Sequence, residues 1–314
     1  MKNNNIQDIP NIPDEMFTRA EFSEQLSEDA GFSNYSYWKS TLRTFFKSNV
    51  VKVLVFLLVI LIAYTLIYPM VTDRDPYQVS LTAREWNLAP SAEHPFGTDG
   101  VGRDIWARVW FGTRTSFLLS LAVAGLKVGL GVIIGSVWGF YRKLDTVMFA
   151  IYNTITNVPS TIYLVLIAYI MKPSIITIII ALVSTGWIVE ARFFRSRVLA
   201  LREADYNVAS ICLKTPTRRI VSRNIVPYIV SMIIMDVALT VPTSIGSEVF
   251  LSFIGVGLPQ ELCTLGNLVN QGRSAFLVYP YQMICPTIIL AFITITFYII
   301  GNKFADASDP RNHV

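Results

Sequence analysis

The sequence predicts an all-α, polytopic membrane protein with six transmembrane helices. Three observations predict it. Of 314 residues, 53% are hydrophobic and only 15% charged, and the mean hydropathy of +0.48 is high for a chain that must coat a soluble core. The charges cluster between apolar runs long enough to cross a hydrocarbon core of about 30 Å. Basic residues are also unevenly shared among the segments joining those runs. Three cysteines, Cys212, Cys263 and Cys285, form neither a metal-ligand spacing nor a disulfide framework. Disordered, collagen-like and disulfide-rich secreted classes are excluded.

Residues 1–46 read as a polar cytoplasmic extension with seven acidic and four basic groups, and Pro10 and Pro13 interrupt any early helix. Its aromatic stretch Gly31-Phe32-Ser33-Asn34-Tyr35-Ser36-Tyr37-Trp38 suits a membrane interface. The first span falls in 47–72, where nineteen positions from Val53 to Val71 carry no charge. Residues 73–114 then form an extracellular loop. A five-helix core over 115–302 follows, with spans near 115–140, 146–171, 174–196, 225–247 and 282–302, and a tail over 303–314.

With the N-terminus inside, 18 of the 26 basic residues lie on the cytoplasmic side. That bias selects an N-in, C-in, multi-pass arrangement in a cell membrane. Gly125 with Gly129, and Gly131 with Gly135, form small-xxx-small pairs that let helices approach closely in lipid. Pro159 in the third span and Pro242 in the fifth can bend their helices. Two charges stand inside spans, Lys127 in the second and Asp236 in the fifth, at similar depth. An isolated charge there costs at least about 2.5–3.5 kcal/mol, so a buried Lys127–Asp236 ion pair is expected. The competing arrangement turns Asp236 towards a water-filled pathway or a partner subunit.

Catalytic signatures are sparse. There is no G-x-x-x-x-G-K-[ST], so the chain is not expected to cradle a nucleotide. His94 and His313 sit in no metal-binding pattern, and no nucleic-acid partner is expected. The informative segment is cytoplasmic, over 203–224. Residues 205–213 read as a short helix with Tyr206, Ala209 and Leu213 on one face, broken at Lys214. Thr215 is expected to cap a second helix with Pro216 at its first position.

This segment resembles the coupling loop of type I ABC-importer permeases. Val208-Ala209-Ser210 falls on that family's Glu-Ala-Ala positions, Lys214 on its Gly, and Ile225-Val226-Pro227 on its closing hydrophobic-Pro pair. A non-Gly residue in a left-handed helix end costs about 1 kcal/mol, so Lys214 predicts a differently shaped elbow. Further stretches are similar to peptide-importer permeases. These are His94-Pro95-Phe96-Gly97-Thr98-Asp99, Gly102-Arg103-Asp104, Gly112-Thr113-Arg114-Thr115-Ser116, the run Glu248–Pro259, and Asp306-Ala307-Ser308-Asp309-Pro310-Arg311. With Ser36-Tyr37-Trp38-Lys39 they cover about residues 35–312 and resemble C-type permease subunits of bacterial oligopeptide ABC importers.

The resemblance implies a type I ABC importer permease fold and a non-catalytic subunit for oligopeptide uptake in a bacterial cell membrane. It implies as partners a homologous second permease, two cytoplasmic ATPases that carry ATP and Mg, an extracellular peptide-binding lipoprotein and the oligopeptide itself. Asp205, Tyr206, Val208, Ala209, Ser210, Leu213, Lys214 and Pro216 would couple to an ATPase. Gly97, Asp99, Gly102, Arg103, Glu248, Gly255 and Gly257 would serve the outer loops, over 73–114 and 248–280. An importer of dipeptides, nickel or another small solute with the same architecture is the alternative, and a membrane receptor or scaffold without transport is the reading from a different class.

Overall fold

A computed structural model describes residues 37–308. The acidic extension over 1–36, and Asp309-Pro310-Arg311 and His313 of the tail, lie outside the described residues. The chain divides into two compact units, 1–40 and 41–314. Of the first, only the opening residues of helix α1 (Tyr37–Phe45) are described.

The larger unit is helical throughout its long elements. Helix α2 (Asn49–Val71) is the first apolar span. An irregular outer segment leads to α3 (Ile105–Phe140), which is 36 residues long. The second span therefore starts ten residues before the expected 115. Asp104 caps it by accepting from the Trp106 amide at 2.9 Å. Arg108 and Arg114 lower the local hydropathy without breaking the helix, because Arg108 is paired above the apolar part.

Two short helices follow, α4 (Asp145–Thr156) and α5 (Ser160–Ile170), meeting at a 77° bend. Pro159 sits at that break, as the third span's proline suggested. Next come α6 (Ile175–Arg202), α7 (Asp205–Cys212) and α8 (Thr217–Ile220). A single π-helical turn, Val221–Ile225, joins α8 to α9 (Val226–Phe253). Pro227 donates no amide hydrogen and its ring crowds the carbonyl four residues back, which opens the ladder at that turn. Helix α9 runs on through Pro242 without a break. Helix α10 (Leu265–Ala275) is capped by Thr264, and α11 (Tyr281–Ser308) ends the described chain.

Helix direction settles the number of crossings. Close approaches between α3 and α6 rise together in sequence. A Cβ at Gly131 would meet Glu190, at Gly135 the Ala191 carbonyl at 2.5 Å, and at Gly139 the Arg195 carbonyl at 2.9 Å. The two helices are parallel, so the chain must return between them. It does so through the bent pair: α4 lies against the Arg192–Arg195 end of α6, while Leu164 of α5 packs with Ile178 and Leu182 at the other end. Among the described residues, five unbroken spans and this bent one make six.

The Gly131–Gly135 pair thus does what its spacing predicts. The Gly125–Gly129 pair does not, since a Cβ at either position meets nothing within 4 Å in this chain. Helix α9 runs antiparallel to α3. Ser116 bonds Glu248 at one end, Ala124 packs with Val241 midway, and Val128 packs with Ile225 and Ile229 at the other.

Candidate functional site

The cytoplasmic elbow is built on one buried residue. Asn207, fully buried, donates to the Leu201 carbonyl at 2.9 Å and accepts from Asn224 Nδ2 at 3.0 Å. These bonds tie α7 to the end of α6 and to the π turn before α9. The other face of α7 is left outward. Tyr206, Val208, Ala209, Ile211, Cys212 and Leu213 are exposed, Leu213 at 81%.

The elbow's end has the geometry of a glycine-terminated helix without the glycine. Lys214 adopts φ +56°. The Thr215 amide donates to the Ser210 carbonyl at 3.0 Å and the Lys214 amide to the Ile211 carbonyl at 2.9 Å, the paired bonds of a Schellman cap. The expectation of an altered elbow is therefore corrected: Lys214 takes the left-handed position and bears the strain. Thr215 is not the cap of the next helix. That helix starts at Thr217 with Pro216 in the capping position. Asp205 opens α7 in its first turn, favourable for a carboxylate.

Mid-membrane, the expected Lys127–Asp236 pair is replaced by a three-residue cluster. Lys127 Nζ lies 2.8 Å from Glu190 Oε1, and the lysine's methylenes lie against Gly186. Asp236 stands beside the pair, near enough for both charges to act on it. Its buried Oδ2 has no hydrogen-bond partner among the described residues. Lys127 prefers Glu190 because α3 and α6 are in close parallel contact, and Gly186 clears the approach one turn away. Sequence reasoning misses Glu190 because Arg192 and Arg195 follow it, so it reads as part of a charged helix end. The i,i+4 relation of Gly186 to Glu190 is the signal that could have found it.

Outside, the two loop regions meet around Asp99. One carboxylate oxygen accepts the Val101 and Arg103 amides at 3.0 and 2.9 Å. The other accepts Arg103 Nε at 2.7 Å and Arg108 Nη1 at 2.5 Å. Arg108 reaches on to Gln271 Oε1 at 2.9 Å, joining the loop to α10. Gly97 and Gly102, at φ +76° and +80°, let the chain fold tightly around this carboxylate. A cleft of about 420 Å³ opens beside it, lined by Asn87, Arg103, Gln260, Glu261, Gln271 and Gln282 among others. The sequence reading overlooks Arg108 and Gln271, whose partners are distant in sequence.

Glu248 is corrected from an outer-loop residue to a buried one. It is fully enclosed within α9 and accepts from Ser116, Ser252 and Thr264 hydroxyls at 3.1, 3.2 and 2.9 Å. It thereby fastens α3 and α10 to α9, and its carboxyl oxygens are satisfied by hydroxyls in place of water. Gly255 has φ +83°, while Gly257 is pressed against Ser252. All three cysteines are free, and burial pushes the Cys263 thiol above its usual range. Among the described residues no group of three His, Cys, Asp or Glu could hold a metal ion.

Comparison with known proteins agrees with this architecture. The chain is 35% identical over 305 residues to the oligopeptide transport system permease protein AmiD of Streptococcus pneumoniae, covering 96% of this chain and 99% of that one. It is 34% identical over 304 residues to the oligopeptide transport system permease protein OppC of Bacillus subtilis, covering 96% and 99%. It is 32% identical over 302 residues to the dipeptide transport system permease protein DppC of the same organism, covering 96% and 94%. The model of the family described as binding-protein-dependent transport system inner membrane component matches residues 128–314, and with these near-full-length relatives it establishes that the chain belongs to that family of multi-pass membrane permeases.

Proposed function

We propose that this chain forms half of the pathway of an ATP-driven importer for oligopeptides and transmits the work of ATPase subunits through the elbow at α7. The observation that carries the reading is that elbow. A helix of eight residues is locked from behind by Asn207 and presents Tyr206, Val208, Ala209 and Leu213 outward. An apolar face held rigidly outside the bundle suits a lever seated in a groove of another protein. The partners in this reading are a homologous permease, two cytoplasmic ATPases carrying ATP and Mg, and an extracellular peptide-binding lipoprotein. The chain itself performs no chemistry, and both its termini face the cytoplasm.

The native Cys212 provides a direct test, because its thiol is exposed at the end of α7. A membrane-impermeant maleimide should label it from the cytoplasmic side in the permease pair, and labelling should slow at least about tenfold when the ATPases are assembled. Ala209→Asp should bury an unpaired charge in that contact at about 3–5 kcal/mol, abolishing transport-linked hydrolysis while leaving membrane insertion intact. Unprotected Cys212 and normal coupling in Ala209→Asp would remove the elbow from the mechanism.

Similarity to a dipeptide permease over nearly the whole chain supports a second cargo, the dipeptide. Uptake of labelled di- and hexapeptides by the reconstituted complex separates the two.

A further inference from the structure

The cluster Lys127–Glu190–Asp236 sets two carboxylates against one ammonium. Lys127 lies about 20 Å from the end of α3, Glu190 about 18 Å from the end of α6, and Asp236 about 15 Å from the start of α9, at 1.5 Å per residue. Those three helix ends lie on the same side, so the cluster sits at one depth near the middle of the spans. The single ammonium is committed to Glu190 at 2.8 Å. Among the described residues no donor reaches the buried Oδ2 of Asp236, and the Asp236 carboxylate stands against that of Glu190.

The cluster is not sealed. Lys127 keeps 22% of its side chain exposed against 10% for Glu190, and Asp236 is half-buried. A charged group at this depth does not face lipid, where it would cost several kcal/mol. The open side therefore faces protein or a water-filled passage.

We propose that this cluster is a cation subsite on the translocation pathway, and that it takes the α-ammonium of the peptide being imported; this rests on the peptide-import reading above. One acceptor oxygen beside a fixed ammonium is a poor cage for an inorganic cation, which needs six or more oxygen ligands. It suits an ammonium, which brings its own hydrogen-bond donors and needs few acceptors. An α-ammonium is common to peptides of any sequence, so such a contact would hold cargo without reading side chains. Glu190 engages Lys127 and so leaves Asp236, half-buried beside them, without an ammonium partner among the described residues, which makes Glu190 a positioning residue.

The test compares uptake of a hexapeptide with its N-acetylated form by the reconstituted complex, using one binding protein throughout. Asp236→Asn should reduce the preference for the free amino terminus on the order of 10-fold or more, as expected for loss of a charge-assisted hydrogen bond. An unchanged preference in a transporting variant overturns the subsite. A measurement on the unmodified protein stands beside it. Dicyclohexylcarbodiimide should modify Asp236 in the complex without its binding protein. The free hexapeptide should slow that reaction several-fold, and the acetylated peptide should leave it unchanged. Equal protection by both peptides, or protection by neither, assigns Asp236 to a proton or to a cation of the partner permease and rejects the proposal. Failure of the unmodified complex to import any peptide would instead reject the peptide-import reading.

Discussion

Two buried charge clusters in this molecule are built in opposite proportions. The outer one places two guanidinium groups on a single carboxylate, Arg103 and Arg108 on Asp99. The mid-membrane one places two carboxylates around a single ammonium. Each leaves polar atoms without partners: Nε and Nη2 of Arg108 outside, Oδ2 of Asp236 within. They differ in access. Arg108 is 1% exposed and its neighbours close over it, whereas Asp236 and Lys127 keep an open side. An unpaired atom in a sealed site is a structural cost that the surrounding fold sustains. A half-buried carboxylate that lacks an ammonium partner can still meet a cation on its open side.

The largest expected effect breaks the sealed cluster. Asp99→Asn removes the only carboxylate paired with Arg108 among the described residues, leaving a buried cation, and should destabilise the purified complex by about 3–5 kcal/mol in thermal unfolding. Asp236→Asn removes a surplus charge instead, and its melting temperature should stay near or above that of the parent. If both substitutions destabilise equally, the two clusters are alike and the distinction in access has no energetic meaning.

A double-mutant cycle sharpens the comparison within the membrane. Lys127→Met leaves two carboxylates unpaired and should cost about 3–5 kcal/mol, most of which returns when Glu190→Gln is added. Additive losses would show that Lys127 and Glu190 do not form the energetic pair that their 2.8 Å separation indicates.

The sequence makes the spans legible and their contacts much less so. Hydropathy locates every long helix, and Pro159 marks the one break, because lipid demands long apolar runs and proline cannot continue a ladder. The elbow at 205–213 is legible from its pattern as a short helix, observed over Asp205–Cys212. The polar partners are not: Lys127 chooses Glu190 over Asp236, and Glu248 gathers Ser116 and Thr264. Such choices depend on helix rotation and direction, which single-residue hydropathy does not encode. The parallel contact of α3 and α6 decides the first. Its clue was written in small residues, Gly131, Gly135 and Gly186, and the charges gave no hint of it.

The smallest expected effect concerns cost that is local. The cost at Arg108 is shared, since no single substitution removes the orphaned nitrogens without also removing the Arg108 bonds to Asp99 and Gln271. Lys214 is the contrasting case. Its φ of +56° is set by two backbone bonds of the Schellman cap, and its side chain is exposed and forms no ion pair among the described residues. Glycine enters this conformation without the Cβ clash, although it also adds freedom to the unfolded chain. Lys214→Gly should therefore stabilise the elbow by no more than about 1 kcal/mol, read as slower hydrogen exchange at the Thr215 amide. The gain should add independently to the effect of Asp236→Asn, because no partner is shared between them. A loss of protection at Thr215 would mean that Lys214 is held by its side chain, and that its left-handed turn is not the source of the cost.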